Sequence, residues 1–343
     1  MEYLIGKKQD FYDFLDGITK KDKVAIISHT DLDGIASAIF LNEILKSKGI
    51  KPKILEFIQI GKGMFEEISK RLREKKITKI LISDLNEGSD LDGFEKLNNE
   101  FKVFLIDHHP SENKNSTNIL KTASEHCAAW AIYNLGIKIT NFDKWKTLIC
   151  ATMIAEFSYL NNENFNFLKE NYPDLTKETI LDSEPGKLSK KISYALIYFY
   201  DQKKKVFDLV WNNQLEKLDK YFLIIEGEVQ EGIKLFYKKA EFFPAKSLYF
   251  YYNTPKFSIN SMINETLSVK EPDKIFVFVS DVKDEPDFVK VSSRHQDGKE
   301  DMNLLMKKGI EGLENAMGGG HVKASGAKFM KKDLEKFKEN LLK

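Results

Sequence analysis

The chain has 343 residues, 42% of them hydrophobic and 31% charged, and its 53 Lys and Arg balance 52 Asp and Glu to a net charge of +1. This composition excludes a disordered chain and excludes a strong overall field toward polyanions or membranes, so any polyanion site is local. The length suits two domains of ordinary size. No stretch approaches the ~20 apolar residues of a membrane span, and the opening MEYLIGKKQD lacks a signal-peptide core; a cytoplasmic protein with no membrane partner is expected. Cys127 and Cys150 are accordingly read as reduced and buried, and Asn115-Ser116-Thr117 as an accidental match to a glycosylation acceptor.

Along the chain, Phe11, Phe14, Leu15 and Ile18 predict an amphipathic helix over 10–19, and Val24–Ser28 a short strand. Gly34–Lys48 reads as a helix with a broad apolar face, stopped by Gly49. Lys53–Ile58 follows as a strand, Met64–Lys75 as a helix, and Lys79–Ser83 as a strand; after a loop with a short helix near 92–99 comes a strand ending at Ile106. This alternation predicts an α/β fold, a parallel sheet covered by helices on both faces. Two helices are expected over 122–160, loops around Pro173 and at 182–186, and a helical pattern over 188–212 in which Lys203, Lys204 and Lys205 form a solvated patch. A long helix over 214–240 links to a smaller α/β part with strands at Ser247–Tyr252, Ile275–Ser280 and Phe288–Ser293 and helices at 259–268 and Met302–Leu313. A glycine-rich turn at Gly318-Gly319-Gly320-His321 and a charged helix from about Lys332 complete it. The domains are therefore set at 1–213 (motifs within 20–160, helical extension 161–213), with a linker at 214–244 and a second domain at 245–343.

Chemistry gathers at three strand ends. His29, Asp31 and Asp33 follow the first strand, Asp84 the third, and Asp107-His108-His109 the fourth. In parallel sheets the carboxyl ends of the strands open onto one crevice. In an extended segment residues i, i+2 and i+4 share a side, so His29, Asp31 and Asp33 converge. One imidazole with two carboxylates suits a borderline divalent ion such as Mn²⁺ or Zn²⁺, although aspartates also cap helices. Two imidazoles beside an acid at a buried strand end have few structural uses, and burying them is costly unless a metal or one another satisfies them. A pair of metals about 3.5–4 Å apart, bridged by a carboxylate, needs about this inventory. Tyr249-Phe250-Tyr251-Tyr252 offers stacking rings, but in a strand alternate residues are core, and core packing is the favoured reading.

His29-Thr30-Asp31-Leu32-Asp33-Gly34, the Asp84 strand end, Asp107-His108-His109 and Gly318-Gly319-Gly320-His321 resemble, in that order, the DHH phosphoesterases with a DHHA1 domain, which include RecJ-type exonucleases, oligoribonucleases and cyclic-dinucleotide phosphodiesterases. The resemblance covers about 20–160 and 245–335. It implies two divalent ions, Mn²⁺ or Mg²⁺, one on His29, Asp31 and Asp84, the other on Asp33, Asp84 and His108. Asp107 would orient a neighbouring imidazole, and His109 would sit near the scissile phosphate. Arg294 would grip a substrate phosphate and Gly319, Gly320 and His321 would close over the substrate, with Asn303 a lesser candidate. The family's further metal-binding aspartate is replaced here by Glu156, whose extra methylene shifts the carboxylate by more than about an ångström.

The implied function is a metal-dependent phosphodiesterase or exonuclease in which a water activated by two metals hydrolyses short single-stranded RNA or DNA, or dinucleotides. The alternative is a catalytically weakened nucleic-acid- or partner-binding module on the same scaffold; a small-molecule phosphatase or pyrophosphatase ranks third. RNA versus DNA preference, polarity and oligomeric state, with a homodimer among the candidates, stay open at this level.

Overall fold

The computed structural model describes residues 1–110, 117–283 and 285–343, so Asn115 and Ser116 of the acceptor string lie outside the described residues. The chain divides into two units, Met1–Phe222 and Leu223–Lys343. Unit one runs β1 (Tyr3–Ile5), α1 (Lys8–Asp16), β2 (Val24–His29), α2 (Leu32–Ser47), β3 (Ile54–Ile58), α3 (Met64–Glu74) and β4 (Lys79–Ser83). It continues with α4 (Leu91–Glu100), β5 (Lys102–Asp107), β6 (Ile119–Thr122), α5 (Ala128–Gly136), α6 (Lys146–Ala155), α7 (Asn162–Asn171), α8 (Glu184–Tyr198) and α9 (Lys203–Trp211). Helix α10 (Asp219–Lys239) carries the chain into unit two.

The sheet of unit one has the order β1-β6-β5-β4-β2-β3, parallel except for β1, which runs antiparallel to β6 at the edge. Alternation sends Ile26, Leu81, Phe104, Ile106 and Leu120 to one buried face, and Ala25, Ile27, Ile80, Ile82, Val103 and Leu105 to the other. Apolar residues therefore occur without a polar stripe, the mark of a sheet covered on both sides. Strand β2 lies between β3, its successor, and β4, so the connections diverge between β2 and β4. That divergence opens a crevice at the strand ends.

Several local expectations are corrected. Strands β1 and β6, three and four residues long, carry too little periodicity to announce themselves. The segment expected as a loop at 182–186 starts α8: the Ser183 side chain accepts from the Gly186 N–H at 3.2 Å, and Pro185 sits in the first turn, where its missing N–H costs nothing. The helical pattern over 188–212 is two helices, broken between Tyr198 and Lys203.

Unit two continues with β7 (Glu241–Phe243), β8 (Leu248–Tyr252), α11 (Asn260–Lys270), β9 (Ile275–Val282), β10 (Glu285–Arg294), α12 (Met302–Gly309), β11 (Met317–Gly320), β12 (Ala324–Met330) and α13 (Leu334–Leu342). Its sheet order is β11-β12-β10-β9-β8-β7, with β8 and β9 parallel and the other pairs antiparallel. Phe250 and Tyr251 are buried and Phe236 of α10 packs against Tyr249, Tyr251, Phe276 and Phe278 with ring centroids 5.1–5.8 Å apart; only Tyr252 of the aromatic run is exposed. Among the described residues, no helix is long and apolar enough to cross a membrane.

Candidate metal centre at the strand ends

Ser28 and Ser83 are register partners on β2 and β4, and their hydroxyls meet at 2.8 Å, fixing the two strand ends against each other. The residues that follow them are His29 and Asp84. Asp84 takes the left-handed conformation (φ 56°), a strained state that aspartate tolerates better than most residues and that clusters at functional sites. Its backbone N–H donates to the Ile106 carbonyl at 3.0 Å, tying it to β5. Asp31 caps α2, its carboxylate accepting from the Gly34 N–H at 2.9 Å. A Cβ on Gly34 would lie 2.1 Å from the His29 carbonyl oxygen, so only glycine lets the helix start this close to the strand. Gly34→Ala is therefore expected to destabilise the fold by about 1–3 kcal/mol, an overpacking cost, and to lower metal content in step; a melting curve with metal analysis reads both.

Asp84 stands between the imidazoles. Its Oδ2 lies 3.5 Å from His29 Nδ1, and its Oδ1 lies 3.5 Å from His108 Nε2 and 4.0 Å from His109 Nδ1. His29 Nδ1 is also 2.8 Å from Asp31 Oδ2, and His108 Nε2 is 3.8 Å from Asp33 Oδ2. Ligand atoms of His29, Asp31 and Asp84 fall within 4.8 Å of one another, as do those of Asp84, His108 and His109. Asp33, in the first turn of α2, is fully buried with its carboxylate against the start of α5, both oxygens accepting backbone N–H groups, from Ala128 at 2.7 Å and Ala129 at 2.8 Å. The helix N-terminus thus holds this carboxylate in a fixed pose.

The electrostatics are those of a cage for a cation. Burial and the Asp31 and Asp84 charges push Glu156, at the C-cap of α6, up to about 8. Burial, followed by the Asp84 charge, also raises Asp33, and burial, followed by the Asp31 charge, raises Asp84. Burial opposes charge on the two imidazoles, yet Asp31 and Asp84 outweigh it at His29, and Asp84 and Asp33 at His108, so that both rise to about 10. Buried Asp84 Oδ2 and His108 Nδ1 form no hydrogen bond, and His29 Nδ1 has only the Asp31 and Asp84 carboxylates beside it. Unpaired buried donors and acceptors are costly, and a divalent cation among these groups would supply the missing counter-charge; the donor set fits such an ion.

Behind the cage lie groups that sequence reading misses. Lys121, 1% exposed on β6, pairs with Asp107 at 2.9 Å and with Glu87 at 2.5 Å. Asp107 in turn sits 2.8 Å from His109 Nδ1; burial works against its ionisation, but that hydrogen bond and Lys121 prevail and lower the carboxyl to about 2. No periodicity marks Lys121 or Glu87; only the register of β6 with β5 would reveal them. Lys203 also departs from its expected solvated role: it is half-buried, donates to the Leu196 carbonyl at 2.6 Å, and burial lowers its ammonium to about 8. A cavity of about 450 Å³ beside Thr30 is lined by Gln59, Tyr200 and Lys203 among others.

The remaining predicted residues are in unit two. Arg294 ends β10, half-buried, 3.4 Å from Glu265. The triple glycine is not a turn. Gly318, Gly319 and Gly320 form edge strand β11 against β12, and the turn begins at exposed His321, whose N–H donates to the Ala324 carbonyl at 2.8 Å. A Cβ on Gly320 (φ 150°) would meet Ser325 Oγ at 2.6 Å, so close strand pairing rather than a flexible loop explains the residue there. The Gly320 N–H is used by Asn303 Oδ1 at 3.2 Å, which ties the start of α12 to this strand.

No curated protein matches the chain. Among solved structures, RecJ in complex with Mn²⁺ from Thermus thermophilus is similar with a TM-score of 0.74 and 12% identity, covering 97% of this chain and 53% of that one. The present chain thus spans about half the length of that protein. An exonuclease RecJ bound to manganese gives 0.72 and 13%, covering 97% and 92% of the two chains, and an exopolyphosphatase-related protein from Bacteroides fragilis gives 0.60 and 16%, covering 97% and 95%. At these identities the likeness is one of fold. Residues 23–179 match the model of the DHH family, N-terminal domain, and residues 245–343 that of the DHHA1 domain. The order of strand-end clusters, the crevice they share and these two matches agree: the chain carries an N-terminal domain of the DHH family followed by a DHHA1 domain.

Proposed function

We propose that the protein is a divalent-metal-dependent phosphodiesterase that hydrolyses short single-stranded oligonucleotides or dinucleotides. One observation supports this above the others: Asp84 stands within 3.5 Å of both His29 and His108, and its buried Oδ2 has no hydrogen bond. His29, Asp31 and Asp84 would hold one ion, and Asp33, Asp84, His108 and Glu156 a second, Mn²⁺ or Mg²⁺. When bound, such a pair neutralises phosphoryl charge and lowers the pKa of an attacking water.

The chain's own groups do the rest. Asp107 orients His109 beside the scissile phosphate, where the ring exchanges a proton with the reacting groups. Arg294 binds a substrate phosphate through its planar fork, in a way a lysine would not. Its contact with Glu265 is long, which leaves the guanidinium ready to exchange partners. His321, exposed at the turn after β11, adds a second polar contact, and Asn303 with Gly319 and Gly320 sets that turn in place.

A length series of RNA and DNA, from dinucleotide to twenty-mer and labelled at either end, is expected to show Mn²⁺-dependent release of mononucleotides, fastest on the shortest substrates. Binding without turnover across the series would replace this reading with the binding-module one, which the Glu156 position favours. Glu156→Gln is expected to weaken one of two metal-binding steps by about 10–100-fold in calorimetric titration; unchanged binding would remove Glu156 from the ligand set.

A further inference from the structure

The ladder between β5 and β6 pairs Asp107 with Lys121 directly. The ammonium of Lys121 lies 2.9 Å from Asp107 Oδ2 and 2.5 Å from Glu87 Oε2, and donates to the His109 carbonyl at 3.1 Å. Its three donors thus have three acceptors. A buried ion pair is weak evidence of stabilisation, because apolar replacements of such pairs are often as stable. What this one does is immobilise. With Oδ2 anchored on Lys121 and accepting from the His109 N–H at 3.2 Å, Asp107 presents Oδ1 to His109 Nδ1 at 2.8 Å.

His109 faces a second pull. Its Nδ1 is 4.0 Å from Asp84 Oδ1, and it falls with Asp84 and His108 in a ligand-competent group. By position alone it would serve as another metal ligand. We propose that Lys121 is a positioning residue that decides between these roles, locking Asp107 so that the His109 ring is held through Nδ1 and is withheld from the metals, leaving Nε2 for the substrate. The role of Nε2 rests on the phosphodiesterase reading; the lock itself does not.

The test uses the full, metal-free chain with ¹⁵N-labelled histidine, in which long-range proton–nitrogen spectra report which ring nitrogen carries hydrogen. The wild type is expected to show His109 as the Nδ1–H form, and an Nε2–H form there overturns the lock whatever the variants do. The double variant Lys121→Met/Glu87→Gln removes the ammonium with one carboxylate and leaves the local net charge unchanged. Folded by circular dichroism, it is expected to show mixed tautomers at His109; a single Nδ1–H form would overturn the proposal. Glu87→Gln alone keeps the ammonium and is expected to keep the Nδ1–H form, and mixed tautomers there would move the role from Lys121 to Glu87. In turnover the double variant is expected to lose about 10–100-fold in kcat with KM within about twofold, as for groups that orient metal-site residues. An inactive wild type would sink the phosphodiesterase reading while the spectra still judged the lock.

Discussion

Asp84→Ala is expected to abolish metal-dependent hydrolysis, with a loss of at least about a thousandfold, and to remove both ions rather than one. The residue lies within 3.5 Å of His29 and of His108, so both halves of the cluster lean on the same carboxylate. Charge stabilisation by bound metals is worth several kcal/mol, and about 4 kcal/mol corresponds to three powers of ten in rate. The variant is expected to fold, because it deletes a buried acid already raised by burial and by Asp31. Metal analysis with a labelled-oligonucleotide assay reads both effects. Products equal to the wild type, or one ion retained in full, would end the shared-ligand account.

Metal addition is expected to stabilise the chain more as pH rises. In the metal-free protein, burial and the Asp31 and Asp84 charges bring Glu156 to about 8, above its ordinary 4.5. The folded state therefore binds this proton more tightly than the unfolded chain, and the stability it contributes is present below 4.5 and lost as pH climbs through 8. His29 and His108, held near 10 by their carboxylate neighbours against burial, contribute stability that is complete below 6.5 and lost as pH passes through 10. All three act in the same direction. A chelated sample should lose melting temperature from mildly acidic to alkaline pH, as the cluster accumulates uncompensated negative charge. A cation removes that penalty and must displace the same protons, so its effect grows with pH. At about a hundredfold over its dissociation constant it adds roughly 2.7 kcal/mol, or about 5–10 °C for a unit of some 200 residues. A shift no larger at high pH than at low pH would contradict the charge balance described here.

The residues that announced themselves in the sequence did so because two signals coincided: an apolar run with the period of a buried strand, then side chains with no reason to be buried. His29, Asp84 and Asp107-His108-His109 all have that form, and β2, β4 and β5 bring them to one edge of one sheet. The parts that stayed hidden depend on pairing rather than pattern. Lys121 looks like any lysine until β6 is set against β5, and the hold of Ala128 and Ala129 on Asp33 is made by backbone groups that no side-chain motif encodes. The triple glycine misled for a related reason. Glycine permits turns, but it also permits tight edge pairing, and only the register of β11 with β12 distinguishes the two.

The contact between Asp33 and the start of α5 bridges about 95 positions of chain. A nascent polypeptide that has released β2 through β5 already displays most of the metal-seeking groups, but Asp33 has no anchor until residue 129 emerges, and Glu156 arrives later still. With the proposed ligand set, closure of the cage thus waits until residue 156 of 343 has been made, and ions met earlier would find only loose, exchangeable acids and imidazoles.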